Sequence, residues 1–366
     1  MSLSEANKAT ILNRVVEGDI TAEKAAARLG ISKRHVFRLK AKIRQDGISG
    51  LSHGNRGKRP ANAITDEIKA TVLEKGRGEY RGASFSHMAE LLERRDGVKI
   101  SPKSVGRILK EAGVYNPHRR RPRKKYRSRA RRERQGELVQ IDASPFDWLE
   151  TGESWSLHGA IDDATGDVIA LRFEKEECSA GYLHVLEQML KTRGIPGAIY
   201  SDRHTIFFSP AKEDELSEED ILEGRKAPLT QYGKTLYLLG IEHIPARTPQ
   251  AKGRIERLWG TLQHRLFLEM RVAGVKTMEE ANAFLPVYME LHNSRFAMRA
   301  AEDTTAFYPC PEPEKLNLIL GRRDERKASA GSEVSWHNNR YQLAEKSGKT
   351  VLLLSSLPFF CAGERG

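Results

Sequence analysis

Cysteine is scarce in this sequence of 366 residues, with three in all. Cys178, Cys310 and Cys361 lie far apart and form no Cys-x-x-Cys pair, so the sequence indicates neither a disulfide framework nor a zinc knuckle. Long apolar runs are also missing, and no stretch reaches the length that a membrane-spanning helix needs. The first residues, Met1–Lys8, carry no apolar signal core. We therefore expect a cytoplasmic protein with no membrane partner.

Acidic residues are too few to balance the basic ones, which leaves a formal net charge of +12 at pH 7. Such an excess indicates a polyanionic partner. Residues 118–134, here called the basic segment, hold eleven arginines and lysines against the single acid Glu133, which accounts for most of the excess. Phosphate binding by this segment predicts an affinity that falls steeply with salt. A nuclear-localisation-like signal or a disordered tail is the alternative, which its place between two folded units disfavours.

The first folded unit predicted by the sequence is helical. A helix that includes Ile11–Val16 is stopped by Gly18, and Thr21 and Ser32 are placed to cap two further helices separated by Gly30. A short helix followed by a glycine turn and a helix with a basic face is typical of a DNA-binding helix-turn-helix. The alternative is a small bundle with a solvated basic face.

A glycine-rich basic linker at 46–62 separates this unit from a second helical one. The linker could follow a duplex backbone or a minor groove, and a plain flexible tether is an equal alternative. In the second unit, Thr65 and Ser101 are candidate helix caps, and Pro102 suits a first helical position. We interpret residues 63–115 as a second helix-turn-helix, and two modules in tandem would gain affinity through effective concentration.

Three acids further along the chain have the setting of metal ligands. Asp142 ends the alternating run Glu137–Asp142, and Asp202 follows the short apolar run Ala198–Ser201, so both are predicted at strand ends. Glu256 lies in a helix that follows the Pro249–Gly253 loop, at the edge of an apolar stripe. Two strands and a helix that each bring one carboxylate can hold two hard divalent cations such as Mg²⁺. Such a pair activates a water or a 3′-hydroxyl for attack on a phosphodiester.

These blocks carry a family resemblance. Val139–Asp142, Tyr200–Asp202 and the block Pro-Gln-x-Lys-Gly-x-x-Glu at 249–256 resemble the Asp-Asp-Glu signature of the retroviral-integrase superfamily. Within it, the chain is most similar to bacterial insertion-sequence transposases of the ISNCY type. The resemblance covers roughly residues 10–300. One departure is Arg203-His204, where many integrases carry Asn-Gly after the second acid.

The resemblance implies a fold and a set of site residues. It implies a DNA transposase with an RNase H-like core in which Asp142, Asp202 and Glu256 are catalytic and hold two Mg²⁺ ions, with Mn²⁺ as a substitute. Other acids compete with Asp142: Asp147 is predicted beyond the regular strand, and Asp162, Asp163 and Asp167 fall at a hairpin turn where Asp is common. For each triad member, an ordinary surface acid is the alternative.

Basic residues on the predicted helices, in the basic segment and beside Glu256 are the candidate DNA contacts. They are Lys33, Arg34, His35, Arg38, Lys103, Ser104, Arg107, Arg119, Arg120, Arg121, Arg123, Lys124, Lys125, Lys252 and Arg254. Lys252 and Arg254 are predicted on the polar side of the Glu256 helix. His204 and His243 are possible helpers, although a lone histidine near a site more often makes structural hydrogen bonds. An acidic stretch at 213–223 is interpreted as a flap or a protomer contact, and a solvated loop is favoured.

The predicted fold class is multidomain: all-α helix-turn-helix modules, an α/β RNase H-like core and a small C-terminal β domain. The predicted domains are 1–45 and 63–115 as helix-turn-helix units, 46–62 and 116–135 as basic linkers, 136–300 as the core, 301–330 as a linker and 331–366 as a β-barrel-like domain. The ending Leu357–Gly363 does not complete such a barrel, so a shortened C-terminus is one interpretation.

The sequence thus predicts a bacterial, nucleoid-associated transposase that binds terminal inverted repeats, cleaves 3′ ends and transfers strands into target DNA. Its partners would be double-stranded DNA and further copies of the chain, as a dimer or larger, because two ends must be paired. A non-enzymatic DNA-binding regulator derived from a transposase is one rival, and a structure-specific nuclease of the same fold is another. The regulator would have lost the acids, and the nuclease would not need two sequence-reading modules.

Overall fold

A computed structural model describes residues 3–51, 63–115, 129–210, 216, 222, 224, 227–246, 252–324, 333–336, 339–342 and 353–355. The chain divides into two compact units, Met1–Lys69 and Ala70–Gly366. Within the described residues, none of the helices combines the length and apolar character needed to cross a bilayer.

The first unit contains the predicted helix-turn-helix. Its helices are α1 (Leu3–Glu17), α2 (Ala22–Leu29) and α3 (Lys33–Asp46), followed by a 3₁₀ helix at Gly47–Leu51. The Thr21 hydroxyl accepts from the Lys24 backbone N–H at 3.3 Å, and the Ser32 hydroxyl accepts from that of His35 at 3.3 Å, so both predicted caps are confirmed. Gly30 ends α2 with a φ of 63°, which a glycine adopts without strain. The core is built from Leu12, Val15, Ala25, Val36, Leu39 and Ile43.

Helices α4 (Asp66–Arg77), α5 (Phe85–Asp96) and α6 (Pro102–Glu111) follow. Ser101 caps α6 by accepting from the Ser104 backbone N–H at 3.1 Å, with Pro102 at the first helical position as predicted. Gly106 on α6 lies so close to α5 that an added Cβ would stand 2.6 Å from the Phe85 ring. The short distance between α5 and α6 therefore depends on a residue without a side chain.

The second unit contains a five-stranded sheet in the order β3-β2-β1-β4-β5. The strands are β1 (Val139–Phe146), β2 (Trp155–Asp162), β3 (Val168–Glu174), β4 (Ala198–Ser201) and β5 (Glu242–Pro245). The first three strands are antiparallel neighbours, whereas β4 runs parallel to β1 and β5 runs parallel to β4. This order, with the antiparallel hairpins first and the parallel strands after a helix, is the predicted RNase H-like arrangement.

Helices cover both faces of the sheet. They are α7 (Ser179–Thr192), α8 (Gln231–Leu238), α9 (Gly253–Ala273), α10 (Met278–Phe296) and α11 (Pro313–Leu320). Val139 and Ile141 of β1 pack with α7, α8 and α11 in one apolar cluster, and Leu157 of β2 packs with α9 and α10 in the other. The predicted alternation of β1 is therefore confirmed.

Two expectations about the core's boundaries are corrected. Asp142 does not end β1, because the strand continues through Pro145 to Phe146 while paired with β2 along its whole length. The predicted linker at 301–330 contains α11, whose Leu316, Ile319 and Leu320 are buried in the core. The carbonyl of Ile195 also accepts from the Tyr308 backbone N–H at 2.9 Å, which ties the chain after α10 to the core.

Helix α5, which precedes the basic segment, also contacts the core. Glu269 of α9 is 5% exposed and accepts from His87 of α5 at 2.8 Å and from Arg94. Burial lowers the pKa of His87, so the neutral imidazole donates to the ionised carboxylate. Arg265 of α9 donates to both oxygens of Glu90 at 2.8 Å. These pairs fix α5 on the helix that carries Glu256.

The described C-terminal strands form two separate pairs. They are β6 (Arg322–Asp324) with β9 (Leu353–Ser355), and β7 (Glu333–Trp336) with β8 (Asn339–Gln342). Both pairs are antiparallel, and the β7–β8 pair lies within the β domain predicted at 331–366.

Candidate active site

Strand register sets Asp142 level with Asp202. Val139 of β1 is paired with Ile199 of β4, and Gln140 with Tyr200. Continued by two residues, this parallel register reaches Asp142 on one strand and Asp202 just beyond the end of the other. The carboxyl ends of adjacent parallel strands are where α/β sheets commonly bind ligands.

The ammonium of Lys252 lies between the two carboxylates. Its Nζ is 2.6 Å from Asp142 Oδ1 and 3.6 Å from Asp202 Oδ2. Lys252 is only 7% exposed, so its charge is largely shielded from water and faces the two acids. Lys252 is predicted on the polar side of the helix, and the structure shows that its side chain is buried against the two acids at this point. Its contact with DNA stays a prediction. Two carboxylates that meet at one positive charge form a donor set suited to a cation.

Further contacts hold each carboxylate in place. The indole Nε1 of Trp259 donates to Asp142 Oδ2 at 3.0 Å. The His204 backbone N–H donates to Asp202 Oδ1 at 3.0 Å, and its Nδ1 accepts from the Ile206 backbone N–H at 3.2 Å. Asp142 is therefore fixed by α9, and Asp202 by the turn that follows β4. The role of Trp259 has no sequence signal beyond its apolar spacing on the helix.

Polar side chains of β1 form a regular series of contacts with α9. Gln140 Oε1 accepts from the Ile255 backbone N–H at 3.3 Å, Asp142 accepts from Trp259, and Ser144 Oγ accepts from Gln263 at 3.1 Å. Steps of two residues along the strand match steps of four along the helix, because each covers about 6 Å. This match aligns α9 along β1 and places Glu256 directly after the first of these contacts.

Glu256 lies in the first turn of α9 with an exposed side chain. Among the residues that the structure describes, no three acids, histidines or cysteines form a cluster able to hold a metal ion. The structure therefore brings Asp142 and Asp202 to the Lys252 ammonium and leaves the Glu256 carboxylate in solvent, one turn before Trp259. The three-residue site stays a prediction.

The two adjacent acids at the β2–β3 turn have different roles. Asp162 accepts from the Thr165 backbone N–H and from the Gly136 backbone N–H, each at 2.8 Å, so it is the predicted turn residue. Burial raises the pKa of Asp162. Asp163 is fully buried and pairs with Arg129 and, at 3.0 Å, with Arg254. Arg254, also predicted on the polar side, is 7% exposed because it packs against Asp163, and its contact with DNA stays a prediction.

The other candidate histidine has a structural setting. Burial lowers the pKa of His243 to about 4, so the ring is neutral near pH 7. Its Nε2 lies 2.8 Å from Ser201 Oγ, and its ring stacks on Phe208 with centroids 4.5 Å apart. These contacts are those of a packing residue.

The helix-turn-helix candidates differ in how open they are. Lys33, Arg34 and Arg38 of α3 are exposed and His35 is half-buried, with its Nε2 3.3 Å from Arg38. Lys33 also pairs with Glu23. On α6, Lys103 and Arg107 are exposed, whereas the half-buried Ser104 hydroxyl accepts from Ser101 at 3.0 Å.

Two predicted features lie outside the described residues. One is the basic run with Arg119, Arg120, Arg121, Arg123, Lys124 and Lys125. The other is the acidic stretch at 213–223, of which the structure describes only Leu216 and Leu222.

A helix-turn-helix ahead of an RNase H-like core with paired acids defines a class of DNA-acting enzymes, and comparison with known proteins agrees. A family model described as winged helix-turn helix matches residues 8–70. The transposase for insertion sequence IS1202 of Streptococcus pneumoniae is 33% identical over an alignment of 385 positions, which covers 96% of this chain and 80% of that protein. The protein y4bF of Sinorhizobium fredii (strain NBRC 101917 / NGR234) is 35% identical over 94% of this chain and 74% of its own length. The chain belongs to the transposases of bacterial insertion sequences.

Solved structures of two viral proteins were also matched in part. One is a simian T-cell lymphotropic virus intasome in complex with PP2A regulatory subunit B56 gamma, with 21% identity over 58% of this chain and 70% of that one and a TM-score of 0.35. The other is the HTLV-2 integrase catalytic core domain in complex with magnesium, with 17% identity over 41% of this chain and 82% of that one and a TM-score of 0.28.

Proposed function

We propose that this transposase binds the terminal inverted repeats of its own insertion sequence, cleaves their 3′ ends and joins them to target DNA. The observation that carries the proposal is the position of Lys252 Nζ between Asp142 and Asp202, at 2.6 and 3.6 Å. Two carboxylates aimed at one charge fit a divalent cation, because Mg²⁺ needs few protein oxygens and keeps several waters.

In this proposal Asp142, Asp202 and Glu256 hold two Mg²⁺ ions, with Mn²⁺ as a substitute. When bound there, the ions would activate the attacking oxygen and stabilise the leaving one. Trp259 and the His204 backbone N–H orient the first two carboxylates. Glu256 lies in the first turn of α9, one turn before Trp259, and in this proposal a change in its side-chain rotamer supplies the third ligand.

The chemistry has two displacement steps. In the first, a water oxygen bonds to phosphorus at the element end, and the bond from phosphorus to the 3′ oxygen breaks to leave a 3′-hydroxyl. In the second, that hydroxyl attacks a phosphodiester of the target, and one target strand is released at its own 3′ oxygen. Asp142, Asp202 and Glu256 are the catalytic residues of both steps, and no covalent bond forms between protein and DNA.

DNA is held by groups outside this centre. We assign recognition of the element end to basic residues of α3 and α6 that are exposed to solvent. They are Lys33, Arg34, Arg38, Lys103 and Arg107. The basic segment would hold phosphates beside the core. A homo-oligomer of at least two chains would pair the two ends, and the protein would be associated with the nucleoid.

A joining assay tests the proposal. Labelled duplex carrying the element's terminal repeat is incubated with target DNA and Mg²⁺, Mn²⁺ or EDTA. Cleaved and joined products are expected with either metal and not with EDTA. Asp142→Asn, Asp202→Asn and Glu256→Gln should each remove more than about 99% of both products, a loss of at least about 2.7 kcal/mol in transition-state stabilisation. End binding in a gel-shift assay should stay within about threefold of wild type, because none of the three acids belongs to α3 or α6.

The same assay separates the rival functions. A regulator would bind the ends and form no product with any metal. A structure-specific nuclease would cleave without joining and without preference for the terminal repeat. Joining by any one triad variant at the wild-type rate would remove that acid from the site.

A further inference from the structure

Asp163 is a fully buried carboxylate that the reaction itself does not use. Its Oδ1 lies 3.0 Å from Arg254 NH1 and accepts from Gln140 Nε2 at 2.8 Å, and it pairs with Arg129. Its Oδ2 accepts from the Arg132 backbone N–H at 3.0 Å. Both oxygens are therefore satisfied by groups from distant parts of the chain, which a residue that only closes a hairpin turn does not require.

One set of these contacts leads to the catalytic helix. Gln140 is fully buried and uses its Oε1 to accept from the Ile255 backbone N–H at 3.3 Å while its Nε2 donates to Asp163. Arg254 precedes Ile255, so Asp163 holds the start of α9 from two sides. The next residue is Glu256.

The other set leads to the basic segment, at its end nearest the core. Arg129 reaches Asp163 with its side chain, and its carbonyl accepts from Arg254 NH2 at 3.4 Å. Arg131 NH1 donates to the carbonyls of Asp163 and Ala164 at 3.3 and 3.1 Å. Residues 129–132 are thus fixed on the β2–β3 turn and on Arg254, in the first turn of α9.

From these contacts we infer that Asp163 is a positioning residue that couples DNA held by the basic segment to the placement of Glu256. The inference rests on the function proposed above, in which Glu256 is a metal ligand. A buried ionised group needs all of its partners, so residues 129–132 cannot shift while Asp163, Arg254 and Gln140 stay as they are. A pull that bound DNA exerts on the basic segment is therefore transmitted through residues 129–132 to the first turn of α9.

Coupling between two binding sites is reciprocal and can be measured as a change in affinity. The probe is Mn²⁺, titrated by calorimetry or by its paramagnetic resonance signal, with and without a duplex that carries the element end. In wild type the duplex should tighten Mn²⁺ binding by about tenfold. In Asp163→Asn this factor should fall below about twofold, while Mn²⁺ affinity without DNA and duplex affinity without Mn²⁺ each stay within about threefold. If Asp163 were merely structural, its replacement would weaken both affinities and leave unchanged the factor by which the duplex tightens Mn²⁺ binding.

Asp162→Asn is the matched control. Asp162 is adjacent and equally buried, and its carboxylate accepts instead from the backbone N–H groups of Thr165 and Gly136. It should keep the wild-type coupling. If Asp163→Asn does not fold, Arg129→Gln removes a partner that is 39% exposed and should reduce the coupling in the same direction. Arg254→Gln should also reduce the coupling. Arg254→Lys, which keeps the charge, should retain more of the coupling than Arg254→Gln does.

The outcomes separate this inference from the proposed function. If Asp142→Asn, Asp202→Asn and Glu256→Gln leave Mn²⁺ binding unchanged, the metal site itself is wrong. If these variants weaken Mn²⁺ binding while Asp163→Asn and Arg129→Gln both retain the wild-type effect of DNA, the coupling role of Asp163 is overturned and the site stands.

Discussion

Lys252 supplies the positive charge at the centre of the candidate site. Its ammonium neutralises the close pair Asp142 and Asp202, which would otherwise repel each other in a partly desolvated setting. A cation that enters this space competes with the ammonium for the same oxygens. We therefore expect Lys252 to set the affinity of the site for metal.

Replacement of Lys252 by methionine tests this competition. Lys252→Met keeps the length of the side chain and removes its charge, so Mn²⁺ should bind about tenfold more tightly, since each factor of ten corresponds to about 1.4 kcal/mol. The change is measured by calorimetric titration with Mn²⁺. Without metal, Lys252→Met should be less stable than wild type, because two acids then lack their counter-ion.

Lys191→Met is the control, because Lys191 pairs with Glu187 at 2.6 Å on the surface of α7. It should alter Mn²⁺ affinity by less than about twofold, since exposed ion pairs contribute little. Equal Mn²⁺ affinities in wild type and Lys252→Met would show that the ammonium does not occupy the metal position.

At the scale of elements, the position of Asp142 depends on close packing between β2 and α9. Gly159 of β2 is paired with Asp142, and an added Cβ would stand 2.7 Å from the Trp259 ring and 2.9 Å from Leu171. The indole can reach Asp142 only because no side chain stands at position 159. The close packing of the sheet against α9 at this point therefore depends on glycine at position 159.

Gly159→Ala should destabilise the protein by about 1–3 kcal/mol, because an extra methyl group overpacks a filled core. Urea unfolding measures the loss, and slower joining should accompany it as Trp259 is displaced. Gly260→Ala is the matched control one residue further along α9, where nothing lies within 4 Å of the new Cβ. That change should stabilise the helix by up to about 1 kcal/mol. Equal stability of Gly159→Ala and wild type would contradict the packing described.

Local signals account for the elements that the sequence predicts well. Thr21, Ser32 and Ser101 cap helices through contacts within three residues, and the β2–β3 hairpin follows from the cluster of turn-forming residues at 162–167. The continuation of β1 past Asp142 could not be predicted, because Pro145 argues against a strand interior and only the pairing with β2 overrides it.

The less predictable parts of the site depend on distant partners. The sequence predicts Asp163 only as a turn residue, because nothing near it in sequence shows that Arg129 and Arg254 will reach it. The burial of Lys252 likewise follows from β1 and β4, which lie far upstream. Helix α11 was missed because its prolines and charges resemble a linker, while its apolar residues find their partners in α8.

At the scale of the whole molecule, charge is divided unequally. The basic segment carries most of the net charge of +12, immediately before the first strand of the core. Electrostatic attraction to phosphate is independent of DNA sequence, so this segment should contribute affinity, and the helix-turn-helix units should contribute selectivity.

Salt dependence measures the contribution of the segment. The changed residues are Arg119, Arg120, Arg121, Arg123, Lys124 and Lys125, each replaced by Gln. The plot of log affinity against log salt should lose about five units of slope if all of them contact phosphates, because each contact adds about 0.9. Fluorescence anisotropy gives one slope with a terminal-repeat duplex and a second slope with a duplex of unrelated sequence. A control that replaces Lys191 and Lys276 by Gln should leave them unchanged, and an unaltered slope in the six-residue variant would place the DNA elsewhere.

The position of bound metal tests the central claim most directly. Anomalous diffraction from crystals of the full chain with terminal-repeat DNA and Mn²⁺ locates the ions without reference to activity. The proposed function predicts peaks about 2.1 Å from carboxylate oxygens of Asp142, Asp202 and Glu256, with the Lys252 ammonium displaced from between the first two. Peaks at other residues, with Lys252 still bound to Asp142 at a Mn²⁺ concentration that supports joining, would contradict it.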